Sequence, residues 1–197
     1  MKQMMFVCAA LLLRPQAAGA QNAARDRDAA VAYLEKTKQE FLASIDGVSE
    51  AQWKFKAGPD RWSIAEVAEH IALSEPMILQ IISEKVMKAP KATAPSQVTD
   101  EKVIALVTNR SQKAQAPEVL RPTNKWPTRD ALTRDFLEAR QKTIDFVKST
   151  PDLRAHLGPH PAFKEIDGHQ WVLFLAGHSS RHTDQIKEVK TSAAYPK

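Results

Sequence analysis

Trp171, Leu175, His178, His182, Gln185 and Val189 follow one another at spacings of four, three, four, three and four. An α-helix sets residues so spaced on one stripe, because its turn of 3.6 residues returns i, i+3, i+4 and i+7 to the same side. A strand would scatter them over both faces. A stripe that mixes Trp, Leu and Val with two imidazoles has to be covered by other elements. The segment therefore predicts a core-facing helix starting near Asp167, with Lys187 and Lys190 at the end where cations suit the helix dipole.

A second stripe lies upstream in Ser63, Val67, His70, Ser74, Met77 and Ile81, widened by Ile64, Ile71 and Ile78. Ser63 and Glu66 are placed for a capping box, the hydroxyl taking one free N–H and the carboxylate another. Pro76 lies inside this run and predicts a kink or break near Ala72 to Ser74. Leu34, Phe41, Ile45 and Val48 predict a first helix over roughly 25–46, ended by Gly47. Thr99 opens a short helix carrying Val103, Ile104, Leu106 and Val107. Thr128 opens a long one carrying Leu132, Phe136, Leu137, Ile144 and Val147, and it stops before Pro151.

Lys88–Val98, Ala114–Pro127 and Asp152–Asp167 read as irregular connections, and no segment alternates convincingly as a strand. Four or five helices of this kind predict an all-α bundle. Trp53 and Trp62 bracket a Gly58-Pro59 turn. Packing onto the bundle is their expected role, and the alternative is a wall beside His70.

The start of the chain has another character. Lys2, the apolar run from Met4 to Leu13 and the small residues Ala18-Gly19-Ala20 match a secretory signal peptide over residues 1–20. The run is too short to span a bilayer, which takes about 20 apolar residues. Cleavage near Ala20 would leave a flexible stretch at 21–28, a domain over 29–197 and an exported, periplasmic or extracellular protein with no stable membrane insertion. Cys8, the only cysteine, would leave with the peptide, so a metal site would have to use His, Asp or Glu. Lys2 and Arg14 would leave too, taking the net charge from +5 to +3. No block of Lys and Arg tracks phosphates, which argues against nucleic-acid binding.

His178 and His182, four apart on a helix, can close on one ion at the Zn–N distance of about 2.0–2.1 Å. His70, on a stripe of its own, is the candidate third ligand. Burying three imidazoles needs partners for their nitrogens, and a metal cation supplies one directly. A polar network with Ser63, Ser74 and Gln185 is the competing reading. His156 and His160 fall in a loop and His169 in a first helical turn, where solvent exposure or local capping is expected. His160 could also reach over the site.

The stretches Trp62-Ser63-Ile64-Ala65-Glu66-Val67-Ala68-Glu69-His70-Ile71 and Gln170-Trp171, His178, Arg181-His182, Gln185-Ile186, with the helices between them, resemble the DinB-like superfamily. The resemblance covers nearly all of the chain after residue 20. It implies an up-down-down-up four-helix bundle, often a homodimer, with a divalent metal such as nickel or zinc held by three histidines. Carried onto this chain, those ligands are His70, His178 and His182. An export signal departs from the mostly cytosolic members.

Three functions are open at this point. The first is a metal-dependent hydrolase acting on an unknown small-molecule substrate through metal-bound water, since such an ion can lower the pKa of water to about 7. Glu66, four residues before His70, is the candidate proton acceptor, although its capping role competes. Gln185, three residues after His182, is the candidate to orient substrate or a ligand imidazole. Arg181 lies off the stripe and is expected at the surface or between helices. The second function, implied by the resemblance, is a metal-dependent transferase using bacillithiol, mycothiol or glutathione. Export argues against it, because such thiols are abundant in reducing cytosol. The third is a non-catalytic binding or stress-related bundle.

Overall fold

A computed structural model describes residues 15–111 and 115–197. Most of the expected signal peptide, residues 1–14, lies outside the described residues. Six α-helices carry the fold: α1 Pro15–Ile45, α2 Glu50–Lys54, α3 Ile64–Ile81, α4 Asp100–Thr108, α5 Arg129–Ser149 and α6 Gly168–Lys190. A π turn, Ile82–Val86, extends α3. Among the described residues, no helix is long and apolar enough to cross a membrane.

The helix starts follow the expected side chains. Ser63 and Glu66 form their capping box at the head of α3. Thr99 Oγ1 accepts from the Lys102 N–H at α4, and Thr128 Oγ1 accepts from the Ala131 N–H at α5. Ser49 with Gln52 at α2 and Asp167 with Gln170 at α6 make capping boxes as well. Gly47, at φ 63°, takes the left-handed conformation just past the end of α1.

α1, α3, α5 and α6 form the bundle, and two apolar clusters reveal their directions. One gathers Phe41 and Ile45 from the end of α1, Val67 and Ile71 from the start of α3, Leu132 and Phe136 from the start of α5, and Ile186 and Val189 from the end of α6. The other gathers Ala30 and Leu34, Ile78 and Ile82, Ile144 and Val147, and Trp171 to Ala176 from the opposite ends. So α1 and α6 run one way and α3 and α5 the other, which is the up-down-down-up order. α1 and α3, consecutive among the four, sit on a diagonal, because each packs against both α5 and α6.

Between the clusters the four helices meet on one buried guanidinium. Arg140 on α5 donates from Nε and Nη2 to the two oxygens of Glu75 on α3, each at 2.8 Å. It also donates to the Leu34 carbonyl at 2.6 Å and Thr37 Oγ1 at 2.8 Å on α1, and to Ser179 Oγ at 2.8 Å on α6. Thr143 Oγ1 donates to Glu75 Oε1 at 2.8 Å. A buried ion pair is tolerable only when its remaining donors and acceptors are matched in this way. Ser179 is the residue after His178, so the network also anchors α6 beside the histidines.

Three expectations need correction. α3 runs through Pro76 without the break that was one of the two expected outcomes, and a π turn follows its end. Residues 21–28, expected to be flexible, are helical, and Asp26 pairs with Arg154 at 2.5 Å. The loop Asp152–Asp167 contains an antiparallel hairpin, β1 Leu157–His160 and β2 Lys164–Asp167, paired from Leu157↔Asp167 to His160↔Lys164. Strands of four residues interrupted by Pro159 are too short for alternation to be legible.

Gly177 decides how α4 lies on α6. A Cβ there would fall 2.3 Å from Val107 Cγ1, so with valine at 107 the two helices approach this closely because 177 carries no side chain.

Candidate metal centre

His70 projects from α3 and His178 and His182 from α6 into one space. One ring nitrogen from each lies within 4.8 Å of the others. The Nε2 atoms of His70 and His178 are 3.2 Å apart. Two ligands each about 2.0–2.1 Å from a tetrahedral ion are about 3.3 Å apart, so the spacing suits a shared cation. The rings stand 5.0, 4.4 and 4.5 Å apart by centroid, tilted toward one another.

The far side of two rings is already committed. His70 Nδ1 lies 2.8 Å from the Leu120 carbonyl. A carbonyl only accepts, so Nδ1 carries the proton and the neutral ring keeps a bare Nε2. His182 Nδ1 lies 2.9 Å from Gln185 Oε1, which also accepts from Arg110 Nη1 at 3.4 Å. Two donors on one amide oxygen leave His182 with its Nε2 bare as well. Partners of this kind set ring tautomer and orientation at metal sites. Gln185 thus lies against the His182 ring, on the side away from Nε2.

Burial keeps the rings neutral. It lowers the pKa of His70 from the ordinary 6.5, drives His178 well below that value, and takes His182 to about 3. Neighbouring imidazoles push His178 and His182 further the same way. Neutral rings have the lone pairs that a cation needs. The donor set fits a divalent metal: three imidazoles, converging bare nitrogens and no competing charge on the ligands.

The other expected residues fall as follows. Glu66 has the capping role: Oε2 accepts the Ser63 N–H at 2.8 Å and Oε1 binds Lys56 Nζ at 2.7 Å. Ser74 donates to the His70 backbone carbonyl at 2.7 Å, so it steadies α3 and leaves the imidazole alone. Arg181 reaches the carbonyls of Val107 and Asn109, an interhelix contact as expected. Trp62 takes the role that was the alternative, with its ring 5.1 Å from that of His70. Trp53 packs in the core under the Arg129 guanidinium.

His156, His160 and His169 are not exposed. His156 donates to the Ala89 carbonyl at 2.7 Å, and His169 lies 3.5 Å from Asp100. His160 packs among Phe163, Trp171 and Phe174. Phe174, which it packs against, has its ring 6.2 Å from that of His178.

One buried carboxylate next to a candidate ligand was missed. Glu69, 4% exposed, receives the backbone N–H groups of Thr123, Asn124 and Lys125 at 2.7, 3.0 and 3.1 Å. That segment belongs to the connection between α4 and α5 that also brings Leu120 to His70. The only hint in the sequence was a carboxylate next to a ligand on a mostly apolar helix.

Known proteins carry the same architecture. YfiT from Bacillus subtilis, described as a probable metal-dependent hydrolase with an unusual four-helix bundle topology, superposes with a TM-score of 0.55 at 15% identity, over 86% of this chain and 89% of that one. The uncharacterized protein YuaE of Bacillus subtilis (strain 168) is 27% identical over 157 residues, 79% of this chain and 93% of its own length. The profile of the DinB superfamily matches residues 33–186, a span that runs from within α1 to within α6 and includes α3, α5 and all three histidines. The chain belongs to the DinB superfamily.

Proposed function

We propose that His70, His178 and His182 hold a divalent metal, zinc or nickel, and that the protein is a metal-dependent hydrolase of a small molecule. The observation that carries this reading is the convergence of ring nitrogens whose opposite nitrogens, on His70 and His182, are already occupied by Leu120 and Gln185. The resemblance to YfiT, itself described as a probable metal-dependent hydrolase, supports it.

A bound divalent ion supplies Lewis acidity and lowers the pKa of water toward about 7. The chain supplies the rest. Three neutral ligands leave the charge of such an ion undiminished. Leu120 and Gln185 keep two rings from turning away. Trp62 and Phe174 stand against His70 and His178 and restrict water around them. The Ser179 bond to Arg140 fixes α6 at the ligand turn.

Metal analysis of the purified protein and of His178→Ala tests the site. Metal in the first and none in the second is the expected result, and no metal in either overturns the reading. A panel of esters, amides and lactones on the metal-loaded protein then tests hydrolysis. Conjugation of a thiol in place of hydrolysis would move the assignment to the transferase class.

A further inference from the structure

Positions 69 and 70 of α3 grip the same strap of chain at two points. The 3-10 turn Glu118–Leu120 ends with the Leu120 carbonyl pointing to His70 Nδ1 at 2.8 Å. Three residues later, the strap folds over Glu69. The N–H groups of Thr123, Asn124 and Lys125 all point at its carboxylate, with Asn124 held at φ 61° to bring three consecutive donors round. Thr123 Oγ1 is a further contact at 3.4 Å. Left-handed backbone that presents successive N–H groups is a nest for an anion, and here the anion belongs to the protein itself. Beyond it, Trp126 Nε1 donates to Asp135 on α5 at 2.7 Å, which pins the exit of the strap.

Glu69 is buried, and a buried carboxylate is stable only when its lone pairs are met. Among the described residues no Lys or Arg side chain meets them; the strap backbone does. Among the described residues, the hydrogen bonds that tie residues 122–125 to α3 all end on Glu69. We propose that Glu69 is a positioning residue of the metal centre: by clamping residues 123–125 it holds the Leu120 carbonyl on His70 and so fixes the ring with its proton on Nδ1 and its free lone pair on Nε2, toward His178 and His182. The proposal rests on the metal reading above only for its consequence, and its first readout requires no metal.

The test uses the full chain, labelled with 15N at histidine, and Glu69→Gln. In that variant an amide N–H faces the Asn124 N–H, so one arm of the clamp is lost while size is kept. Long-range 1H–15N correlation of the metal-free protein reads each tautomer. The wild type should show His70 protonated on Nδ1, and Glu69→Gln a mixture at His70 with His182 unchanged. Zinc affinity, measured by competition with a chelator, should fall about 10- to 100-fold, the range for residues that orient ligand imidazoles. Glu69→Asp keeps the charge but draws it back by one methylene. It should give a smaller shift of the same kind, and it serves if the glutamine variant does not fold.

An unchanged His70 tautomer with zinc affinity within twofold of wild type overturns the proposal. So does equal loosening of His70 and His182, which would mean general destabilisation. A wild-type chain that binds no zinc overturns the metal reading, and the tautomer comparison still decides the role of Glu69.

Discussion

Nε2 of His70 and Nε2 of His178 stand 3.2 Å apart, although their residues are 108 positions apart in the chain. Two nitrogens at that distance share either one proton or one cation. A cation that binds the folded chain and not the unfolded one stabilises it by mass action, about 2.7 kcal/mol at 100 times the dissociation constant. Zinc or nickel should therefore raise the melting temperature of the wild type in calorimetry. His70→Ala, His178→Ala and His182→Ala should each abolish the rise, and a rise preserved in all three would place the metal elsewhere.

Acid should destabilise the metal-free protein over a defined window. The folded-state pKa of His182 is about 3 and that of His160 about 4, both pushed down from 6.5 by burial. His70 and His178 are shifted the same way. Below pH 6.5 the unfolded chain binds protons that the folded chain refuses, so stability falls as pH drops toward 3. Above 6.5 neither state binds them and these groups contribute no slope. Each imidazole kept neutral contributes up to about 1.4 kcal/mol per pH unit inside the window. Urea titrations between pH 4 and 8 check the sign; stability that rises on acidification from 6.5 would refute the burial of neutral rings.

Arg140 is fully buried against Glu75. Arg140→Met leaves an unpaired carboxylate in the core and should cost about 3–5 kcal/mol. The double variant Arg140→Met with Glu75→Leu removes both charges and should recover much of that loss. Chemical denaturation of the pair separates the expense of an orphaned charge from the net worth of the bridge.

Gly177→Ala would put a methyl group 2.3 Å from Val107 Cγ1. Overpacking of this kind typically costs about 1–3 kcal/mol. Val107→Ala should rescue it, because the clash is with that one side chain. Thermal melts of the single and double variants decide, and an absence of rescue would show that backbone opposes the methyl.

Glu66 and Gln185 should separate cleanly. Glu66→Ala removes a capping box and the Lys56 ion pair, so about 0.5–2 kcal/mol of stability should go while zinc affinity holds. Gln185→Ala frees the His182 Nδ1–H and should lower zinc affinity about 10- to 100-fold. A loss of turnover in Glu66→Ala with zinc affinity and stability intact would restore it as the proton acceptor.

Periodicity and caps were enough to place α3, α4, α5 and α6 and to put His70, His178 and His182 on buried stripes, since helical spacing and capping chemistry are local properties of the chain. Ser63, Thr99 and Thr128 could be read as helix starts because each side chain meets a backbone N–H only three residues away. The hairpin at Leu157–Asp167 was not legible, because its pairing is stabilised by the surface it packs on and its strands are too short to show a period. Charges were equally silent. Glu69 and Glu75 resemble any helical glutamate until the fold brings the strap N–H groups to one and Arg140 to the other. Trp62 could be assigned to the wall of the centre only once His70 lay beside it. What the linear order determined was which faces must be covered. Which partner covers each face, and hence which nitrogen of each imidazole is left bare, was decided when segments distant along the chain came within hydrogen-bond reach.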